Sequence, residues 1–353
     1  MIKKQNISGV MMLIFSIIFA IGAVFSIFAT SGSVPKPTLN EFLKGKWTST
    51  YEKKFDEALF HYRQSLDFWN VANFKMFKEG KDGVIIGKDG WLFTTEEFDR
   101  PKGFNDNINA NIDFITQTYK TLSGHNIELF VIPIPSKARL LREKLERQKL
   151  PAYRKSIYAD FISFLNAQNI RHLDLAFYIQ DPERFFLKTD THWTAAGAEL
   201  TAKNTAQRLL DLKLIDKKGD TFETTLSDPK THEGDLMRYT VNGEAAARVG
   251  LNPDTIQIPQ TISTTLNDDL FSDAQLDIAL VGTSYSANKE WNFNGFLKQY
   301  LGADVLNMAD EGLGPFETMQ NYLLSNTYKN TPPKLVIWEI PERFLPVHYD
   351  LNI

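Results

Sequence analysis

Two short segments carry residue types that together can do nucleophilic chemistry. Asp190 lies two residues before His192, and a run of apolar residues farther along the chain leads through Gly282 to Ser284. In an extended chain, residues two apart point to the same side, so Asp190 can hold one ring nitrogen of His192 and leave the other for a hydroxyl. A serine is a weak nucleophile until a base accepts its proton, and a carboxylate stabilises the imidazolium that forms. The three residues predict a catalytic triad with Ser284 as nucleophile, His192 as general base and Asp190 as the carboxylate that orients it.

Each of these residues also has a plainer interpretation. Ser284 can cap the helix that follows it, and Asp190 can cap the helix expected to start near Thr194. Asp190 and His192 can also supply two metal ligands, with His125, His232 or a carboxylate as the third. The sequence does not identify that third ligand, so we predict no metal and no cofactor. The remaining histidines stand alone, and we expect structural or solvent-exposed roles for them: His61, His125, His172 and His348.

The elements around these segments alternate between apolar runs and helical spacing. The predicted strands are short apolar runs: Ile127–Pro133, Ile170–Leu173, Leu276–Val281, Val305–Asn307 and Leu335–Glu339. Strands alternating with helices indicate an α/β fold with a mostly parallel sheet covered on both faces. Ser284 then follows the carboxyl end of a core strand, where open α/β sheets build their sites. A hairpin is predicted over 84–93, and a small β-rich insertion over about 216–267.

Composition excludes several classes of protein. The 353 residues carry a formal net charge of −4, which disfavours a sequence-independent nucleic-acid binder. Cysteine is absent, which excludes disulfides, cysteine nucleophiles and thiolate metal sites. A hydrophobic content of 43% is enough to bury a substantial core.

The amino terminus predicts a location. Residues Val10–Phe28 carry no charge and are long enough to cross a bilayer as a helix, and Lys3 and Lys4 precede them. We expect residues 1–29 to be a transmembrane anchor rather than a cleaved signal, 30–38 a linker, and 39–353 the folded domain. Positive charge before the span puts this domain outside the cytoplasm, which predicts a single-pass inner-membrane protein facing the periplasm.

Several further blocks make the sequence recognisable. Together with Asp190–Gly197 and Gly282–Ser286, they resemble the alginate O-acetyltransferase family, AlgJ and AlgX, and related SGNH-like polysaccharide acetylation proteins. The blocks occur in that family's order: Gly87–Phe93, Pro133–Lys137, Gly234–Leu236, Asn307–Phe316 and Trp338–Arg343. Ordinary SGNH hydrolases carry the serine early and an Asp-x-x-His late, whereas here Asp-x-His comes first. The family shows this permuted order.

The resemblance implies an SGNH-hydrolase-like three-layer α/β/α sandwich and an acetyl-enzyme on Ser284 that acetylates hydroxyls of an exopolysaccharide. It also implies a membrane-bound O-acyltransferase partner that carries acetyl groups across the membrane. Some members add a carbohydrate-binding module, which we do not expect here because the chain ends soon after Arg343. The rival functions are an acetyl-esterase acting on the same polymer and a non-catalytic polysaccharide-binding scaffold.

Four further residues are candidates for binding the sugar. Lys137 and Arg343 follow strand-like segments and can hold an anionic sugar or a developing charge, or they can be surface or ion-paired structural residues. Trp193 and Trp338 can stack on sugar rings, although core packing is the commoner role of such residues. For the developing oxyanion, we predict the backbone N–H of Ser284 as one donor, with the side-chain donor left open.

Overall fold

The computed structural model describes residues 5–31, 34, 36–58, 71, 74, 76, 80–216, 219–241, 244–264 and 276–351. The chain forms two compact units. One comprises residues 1–78 with 241–245, and the other comprises residues 79–240 with 246–353. All three residues of the predicted triad belong to the second unit. The division into an anchor over 1–29, a linker over 30–38 and a folded domain over 39–353 stays a prediction.

Helices form the described part of the first unit: α1 (Gln5–Ser31), α2 (Leu39–Leu43) and α3 (Lys46–Ala58). A capping box starts α2, because the Thr38 side chain accepts the Glu41 N–H and the Glu41 carboxylate accepts the Thr38 N–H. Among the residues described, no helix is both long and apolar enough to cross a membrane. The side chains of residues 1–15, where the predicted anchor begins, lie outside the described part.

A five-stranded parallel sheet organises the second unit. Its strands are β3 (Glu128–Ile134), β4 (Arg171–His172), β9 (Ile278–Val281), β10 (Leu306–Asn307) and β11 (Leu335–Pro341), in the spatial order β10-β9-β11-β3-β4. The longest pairing joins β11 to β3, from Leu335 beside Glu128 to Pro341 beside Ile134. All five strands fall on the apolar runs predicted from the sequence, which confirms the α/β class and the parallel sheet.

The sheet separates two apolar layers. Along β3, Phe130 and Ile132 belong to one hydrophobic cluster, while Leu129 and Val131 belong to the other. Successive residues of a strand point to opposite faces, so both faces of this sheet are covered. This arrangement explains why the strands read as continuous apolar runs rather than as an alternation of apolar and polar residues.

Helices supply the two outer layers and the connections of the second unit, except that α11 begins with two residues of the first unit. They are α4 (Phe104–Gly124), α5 (Lys137–Leu140), α6 (Ala152–Lys155), α7 (Ile157–Ala167), α8 (Leu175–Tyr178), α9 (Pro182–Phe185), α10 (Ala195–Asp211), α11 (Glu244–Arg248), α12 (Ser284–Ala287), α13 (Phe293–Leu301), α14 (Gly314–Leu324) and α15 (Asn326–Asn330). The Thr194 side chain caps α10 by accepting the Gly197 N–H at 3.0 Å, so this helix begins where the sequence predicts.

The segment between α10 and β9 is rich in short antiparallel pairs. Strand β5 (Phe222–Leu226) pairs with β8 (Pro259–Ser263), and β6 (Lys230–His232) pairs with β7 (Asp254–Ile256). This is the β-rich character predicted for residues 216–267, although 217–218, 242–243 and 265–267 lie outside the described residues.

A hairpin precedes α4. Its strands β1 (Val84–Ile86) and β2 (Leu92–Thr94) are antiparallel, as predicted. The turn between them has Asp89 at φ 55° and Gly90 at φ 78°. Short polar residues and glycine tolerate this left-handed region, which explains why Asp89 and Gly90 stand at the turn.

Candidate active site

Asp190 and His192 lie on a short loop that enters α10. The loop is closed at its base, because the Leu187 N–H donates to the His192 carbonyl at 3.1 Å and the Thr194 N–H donates to the Phe185 carbonyl at 2.8 Å. These backbone hydrogen bonds fix the direction in which the two side chains leave the loop. Asp190 is buried, whereas His192 keeps a small exposed fraction.

The three predicted triad residues meet. The Nδ1 atom of His192 lies 2.6 Å from Oδ1 of Asp190, and its Nε2 atom lies 2.7 Å from Oγ of Ser284. With a proton on Nδ1 donated to the carboxylate, Nε2 is free to accept the serine proton. The arrangement has the geometry of an activated serine nucleophile.

Asp190 accepts hydrogen bonds on both carboxylate oxygens. Oδ1 also accepts the backbone N–H of His192 at 2.9 Å, while Oδ2 accepts from Nε2 of His232 and from the Asp235 N–H, both at 3.0 Å. Burial alone would raise the pKa of Asp190, but the hydrogen bonds from His192 and His232 hold that pKa well below its usual range. Asp190 is therefore a persistent anion beside the base.

The turn that carries Ser284 follows β9 directly. Gly282 approaches the Glu339 side chain so closely that a Cβ atom there would lie 2.5 Å from the carboxylate, which explains the glycine. Glu339 is fully buried and accepts the Thr283 N–H at 2.8 Å and the Ser286 hydroxyl at 3.0 Å. Burial raises the pKa of Glu339. One carboxyl group thus holds the backbone of the residue before the nucleophile and the side chain of Ser286 after it.

Two carboxylates hold the Asp-x-His loop by its backbone. Asp254, in β7, accepts the N–H groups of Lys188 and Thr189 at 3.0 and 2.8 Å. Asp235 accepts the Thr191 N–H at 2.9 Å and the Thr191 hydroxyl at 2.6 Å. Both acids come from the β-rich insertion, so this insertion positions the general base.

Lys137 lies beneath the same loop and is 1% exposed. Its Nζ atom donates to the carbonyl oxygens of Leu92, Lys188 and Asp190 at 2.6, 3.1 and 2.9 Å. Three acceptors use all the protons of an ammonium group. The prediction that Lys137 holds an anionic sugar does not fit this position, since its donors are directed at the backbone of the protein itself.

Arg343 is also enclosed, with 6% of its surface exposed. Its Nη1 atom lies 3.1 Å from the Tyr285 hydroxyl, and that hydroxyl donates to the Thr191 carbonyl at 2.6 Å. Its Nε atom lies 3.2 Å from the Glu96 carboxylate. Arg343 supports the triad loop through Tyr285, so the predicted sugar contact is replaced by an internal one.

The two tryptophans predicted as stacking platforms are fully buried. Trp193 packs edge-on against Tyr285 with ring centroids 5.1 Å apart, and Trp338 donates from Nε1 to the Pro315 carbonyl at 3.1 Å. Neither ring presents a face to an incoming sugar. Core packing, the alternative interpretation, describes their position.

The donor atoms of Asp190, His192 and Asp235 lie within 4.8 Å of one another. The histidine and Asp190 bond each other, and the Asp235 carboxylate bonds Thr191. Of the candidate third ligands, His232 is hydrogen-bonded to Oδ2 of Asp190 at 3.0 Å, and His125 lies 3.1 Å from the Tyr328 hydroxyl. The described residues therefore fit a hydrogen-bonded triad better than a metal centre.

Several residues that position the triad have no role predicted from the sequence. Tyr285, Asp235 and Glu339 lie inside recognised blocks, so their place in those blocks was a usable signal. Asp254 and Trp291 carried no signal, because only tertiary pairing brings them to the site. Trp291 stacks on His192 with ring centroids 5.7 Å apart.

The geometry supports one type of chemistry best. A base that can take the Ser284 proton, beside a buried anion, allows attack on an ester or thioester carbonyl and formation of an acyl-enzyme. The same base can then activate a hydroxyl that removes the acyl group.

Comparison with known proteins agrees with this chemistry. Residues 84–342 match the family model described as "SGNH hydrolase-like domain, acetyltransferase AlgX". That span includes the hairpin, the whole sheet, the insertion and all three triad residues.

Individual relatives cover most of the chain. The chain is 35% identical over 316 residues to a "Probable alginate O-acetylase AlgJ" from Pseudomonas fluorescens, covering 88% of this chain and 80% of that protein. It is 36% identical over 335 residues to a protein of the same name from Pseudomonas aeruginosa, covering 91% and 84%. The solved O-acetyltransferase domain of Pseudomonas putida AlgJ superposes with a TM-score of 0.70 at 34% identity, covering 76% of this chain and 94% of that domain.

Proposed function

The chain belongs to the family of SGNH hydrolase-like acetyltransferases typified by AlgX, and from that premise we propose that it transfers acetyl groups to hydroxyls of an extracytoplasmic exopolysaccharide through an acyl-enzyme on Ser284. The observation that carries the proposal is the pair of hydrogen bonds on His192, 2.7 Å to Ser284 and 2.6 Å to Asp190.

Transfer occurs in two balanced steps. As Oγ of Ser284 attacks the acetyl carbonyl of a donor, Nε2 of His192 takes the hydroxyl proton and then gives it to the departing donor group. In the second step His192 takes the proton of a sugar hydroxyl, whose oxygen attacks the acetyl-serine. The proton returns to Oγ of Ser284 as the acetyl ester of the sugar leaves. Asp190 stabilises the imidazolium in both steps.

The acyl-enzyme is tested by intact-mass spectrometry of the full chain in detergent, after brief exposure to 4-nitrophenyl acetate. We expect one acetyl adduct on the wild type and none on Ser284→Ala. His192→Ala should form the adduct at least about a hundredfold more slowly, because the base is gone. Ser123→Ala, which removes an exposed serine remote from the triad, serves as the matched control and should retain the adduct. Equal adduct on Ser284→Ala would remove Ser284 as the nucleophile.

The acceptor proposed is an alginate-type polysaccharide, because the named AlgJ relatives are alginate O-acetylases. Deacetylated alginate oligosaccharides are added to the acetylated enzyme, and a neutral glucan oligosaccharide is the control. Mass spectrometry should find acetyl on the alginate oligosaccharide only. Release of free acetate with no acetylated sugar would favour the esterase instead, since both enzymes share the triad.

We further propose that the protein is a single-pass inner-membrane protein whose acetylating unit faces the periplasm. The uncharged segment Val10–Phe28 behind Lys3 and Lys4 supports this location. Since the chain has no cysteine, Glu317→Cys introduces a single thiol on the exposed surface of α14. A membrane-impermeant maleimide should label it in cells with a permeabilised outer membrane. Labelling that requires rupture of the inner membrane would contradict the orientation.

A periplasmic site needs a supply of acetyl groups, and the proposed partner is a membrane-bound O-acyltransferase. Deleting such a partner should abolish acetylation of the polymer in cells, while the purified protein still reacts with 4-nitrophenyl acetate. Undiminished acetylation in cells that lack every membrane-bound O-acyltransferase would reject this partner.

A further inference from the structure

A second histidine contacts the triad carboxylate. His232, at the end of β6, places Nε2 at 3.0 Å from Oδ2 of Asp190, while His192 bonds Oδ1 of the same group. Asp190 therefore lies between two imidazoles, one on each oxygen. Of these two histidines, only His192 takes part in the proton transfers of the proposed reaction.

The two imidazoles differ in what faces their other ring nitrogen. In His192 that nitrogen faces the neutral hydroxyl of Ser284. In His232 it faces Oε2 of Glu290 at 3.6 Å, and the other oxygen of Glu290 bonds Nζ of Lys230 at 2.8 Å. His232 is thus the imidazole held between two carboxylates.

The two imidazoles also share a neighbour. The Trp291 ring stacks on His192 and lies edge-on to His232, with a centroid distance of 5.5 Å to the latter. Packing against one rigid indole restricts the orientation of both rings, so the hydrogen bonds to Asp190 are made from fixed positions.

We propose that His232 is a positioning residue of the triad: as an imidazolium held between Asp190 and Glu290, it orients the carboxylate that holds His192. The catalytic meaning of this inference rests on the acyltransfer function proposed above, whereas the charge on His232 does not.

Electrostatics favours a charged His232. The charged groups that face His232 are the carboxylates of Asp190, Glu290 and Asp254, with Lys230 beyond Glu290. The hydrogen bond with Asp190 and the charges of these acids raise the pKa of His232, although burial opposes them.

The kinetic test measures the burst of 4-nitrophenol from 4-nitrophenyl acetate against pH with the full chain. In His232→Gln a neutral amide replaces the cation, so the acidic limb of the profile should move to higher pH by about half to one unit. His232→Ala should show the same shift and a plateau about tenfold lower, because the donor to Asp190 is lost as well. His172→Gln, whose imidazole bonds the Ile170 carbonyl away from the triad, is the control and should change neither. An acidic limb of His232→Gln that coincides with the wild type overturns the proposal.

A second measurement does not depend on activity. The six histidines are labelled with ¹³C at Cε1, and their NMR shifts are followed with pH, with His232→Gln and His192→Gln assigning the two signals. His232 should gain its proton above the ordinary histidine value of about 6.5. A titration of His232 below that value overturns the inference even if acyl transfer is established, and the expected titration with no acyl-enzyme rejects the proposed function alone.

Discussion

Glu339 lies under the turn that carries Ser284 and is fully buried, with both flanks of the nucleophile donating to it. Glu339→Ala should slow formation of the acyl-enzyme at least about tenfold and lower the free energy of unfolding by about 2 kcal/mol. The reason is that the Thr283 N–H and the Ser286 hydroxyl would be left buried without an acceptor. Burst kinetics and urea unfolding measure the two effects.

Glu317→Ala is the control for this prediction, because Glu317 is an exposed glutamate on α14. It should leave both quantities unchanged. If Glu339→Ala lost stability but kept its burst rate, the carboxyl group would support the fold without positioning the nucleophile.

Residue types and spacing were enough to predict which side chains meet at the site. Asp190, His192 and Ser284 stand in short local patterns, and their contact follows from placing those patterns at the ends of elements. The supporting residues could not be predicted in the same way. Lys137 and Arg343 were expected near a crevice, but whether a long cationic side chain turns inward depends on buried carbonyl and hydroxyl acceptors that only the folded chain brings together.

At the scale of elements, the β-rich insertion holds the Asp-x-His loop through Asp254 in β7. Asp254→Ala should reduce the burst rate about tenfold and lower the thermal midpoint by several degrees, because two backbone N–H groups and the Thr189 hydroxyl lose their acceptor. Asp228→Ala removes an exposed acid from the same insertion and should do neither. A normal burst rate in Asp254→Ala would mean that the loop keeps its shape without the insertion.

Elements were predicted well where apolar period and turn residues agree, as in all five strands of the sheet. Helical spacing near residues 138–148 also predicts a helix there, and this prediction is wrong beyond the first turn. Helix α5 ends at Leu140, and Leu141 leaves helical geometry with ψ at 36°. Tertiary contacts hold the turn that forms, because the Glu97 carboxylate accepts the Ala138 N–H at 2.7 Å and Arg139 forms an ion pair with Glu342 at 2.7 Å, and Leu141 and Leu145 then pack into the core. Local helix propensity is weaker than such buried contacts.

At the scale of the whole molecule, the perturbed acids and bases determine how stability depends on pH. The pKa of Asp190 is lower in the folded chain than in the unfolded chain, where it is about 3.9. Asp190 therefore stabilises the fold at pH values above about 3.9, and this stabilisation is lost as pH falls. The pKa of His232 is higher in the folded chain than in the unfolded chain, where it is about 6.5. His232 therefore stabilises the fold below that pH, and this stabilisation is lost as pH rises through the pKa of the folded chain. Burial raises the pKa values of Glu97 and Glu339. These two residues, like His232, therefore make the folded chain less stable as pH rises.

The free energy of unfolding should therefore be highest on the acidic side of neutrality, between about pH 4 and 6.5, and should decline toward pH 8. Urea unfolding across this range measures it, and His232→Gln should flatten the decline. Stability that rises steadily from pH 5 to 8 would contradict these signs.

The groups that hold Asp190 and His192 in place, among them Asp235, Asp254 and His232, belong to the stretch of chain that separates the general base from Ser284. This has a consequence for protein engineering. A chimera that exchanges catalytic modules between relatives must move the insertion and the Asp-x-His loop together, and a minimised enzyme made by excising the insertion would keep His192 but lose the groups that hold it. The insertion is thus a required part of the catalytic domain.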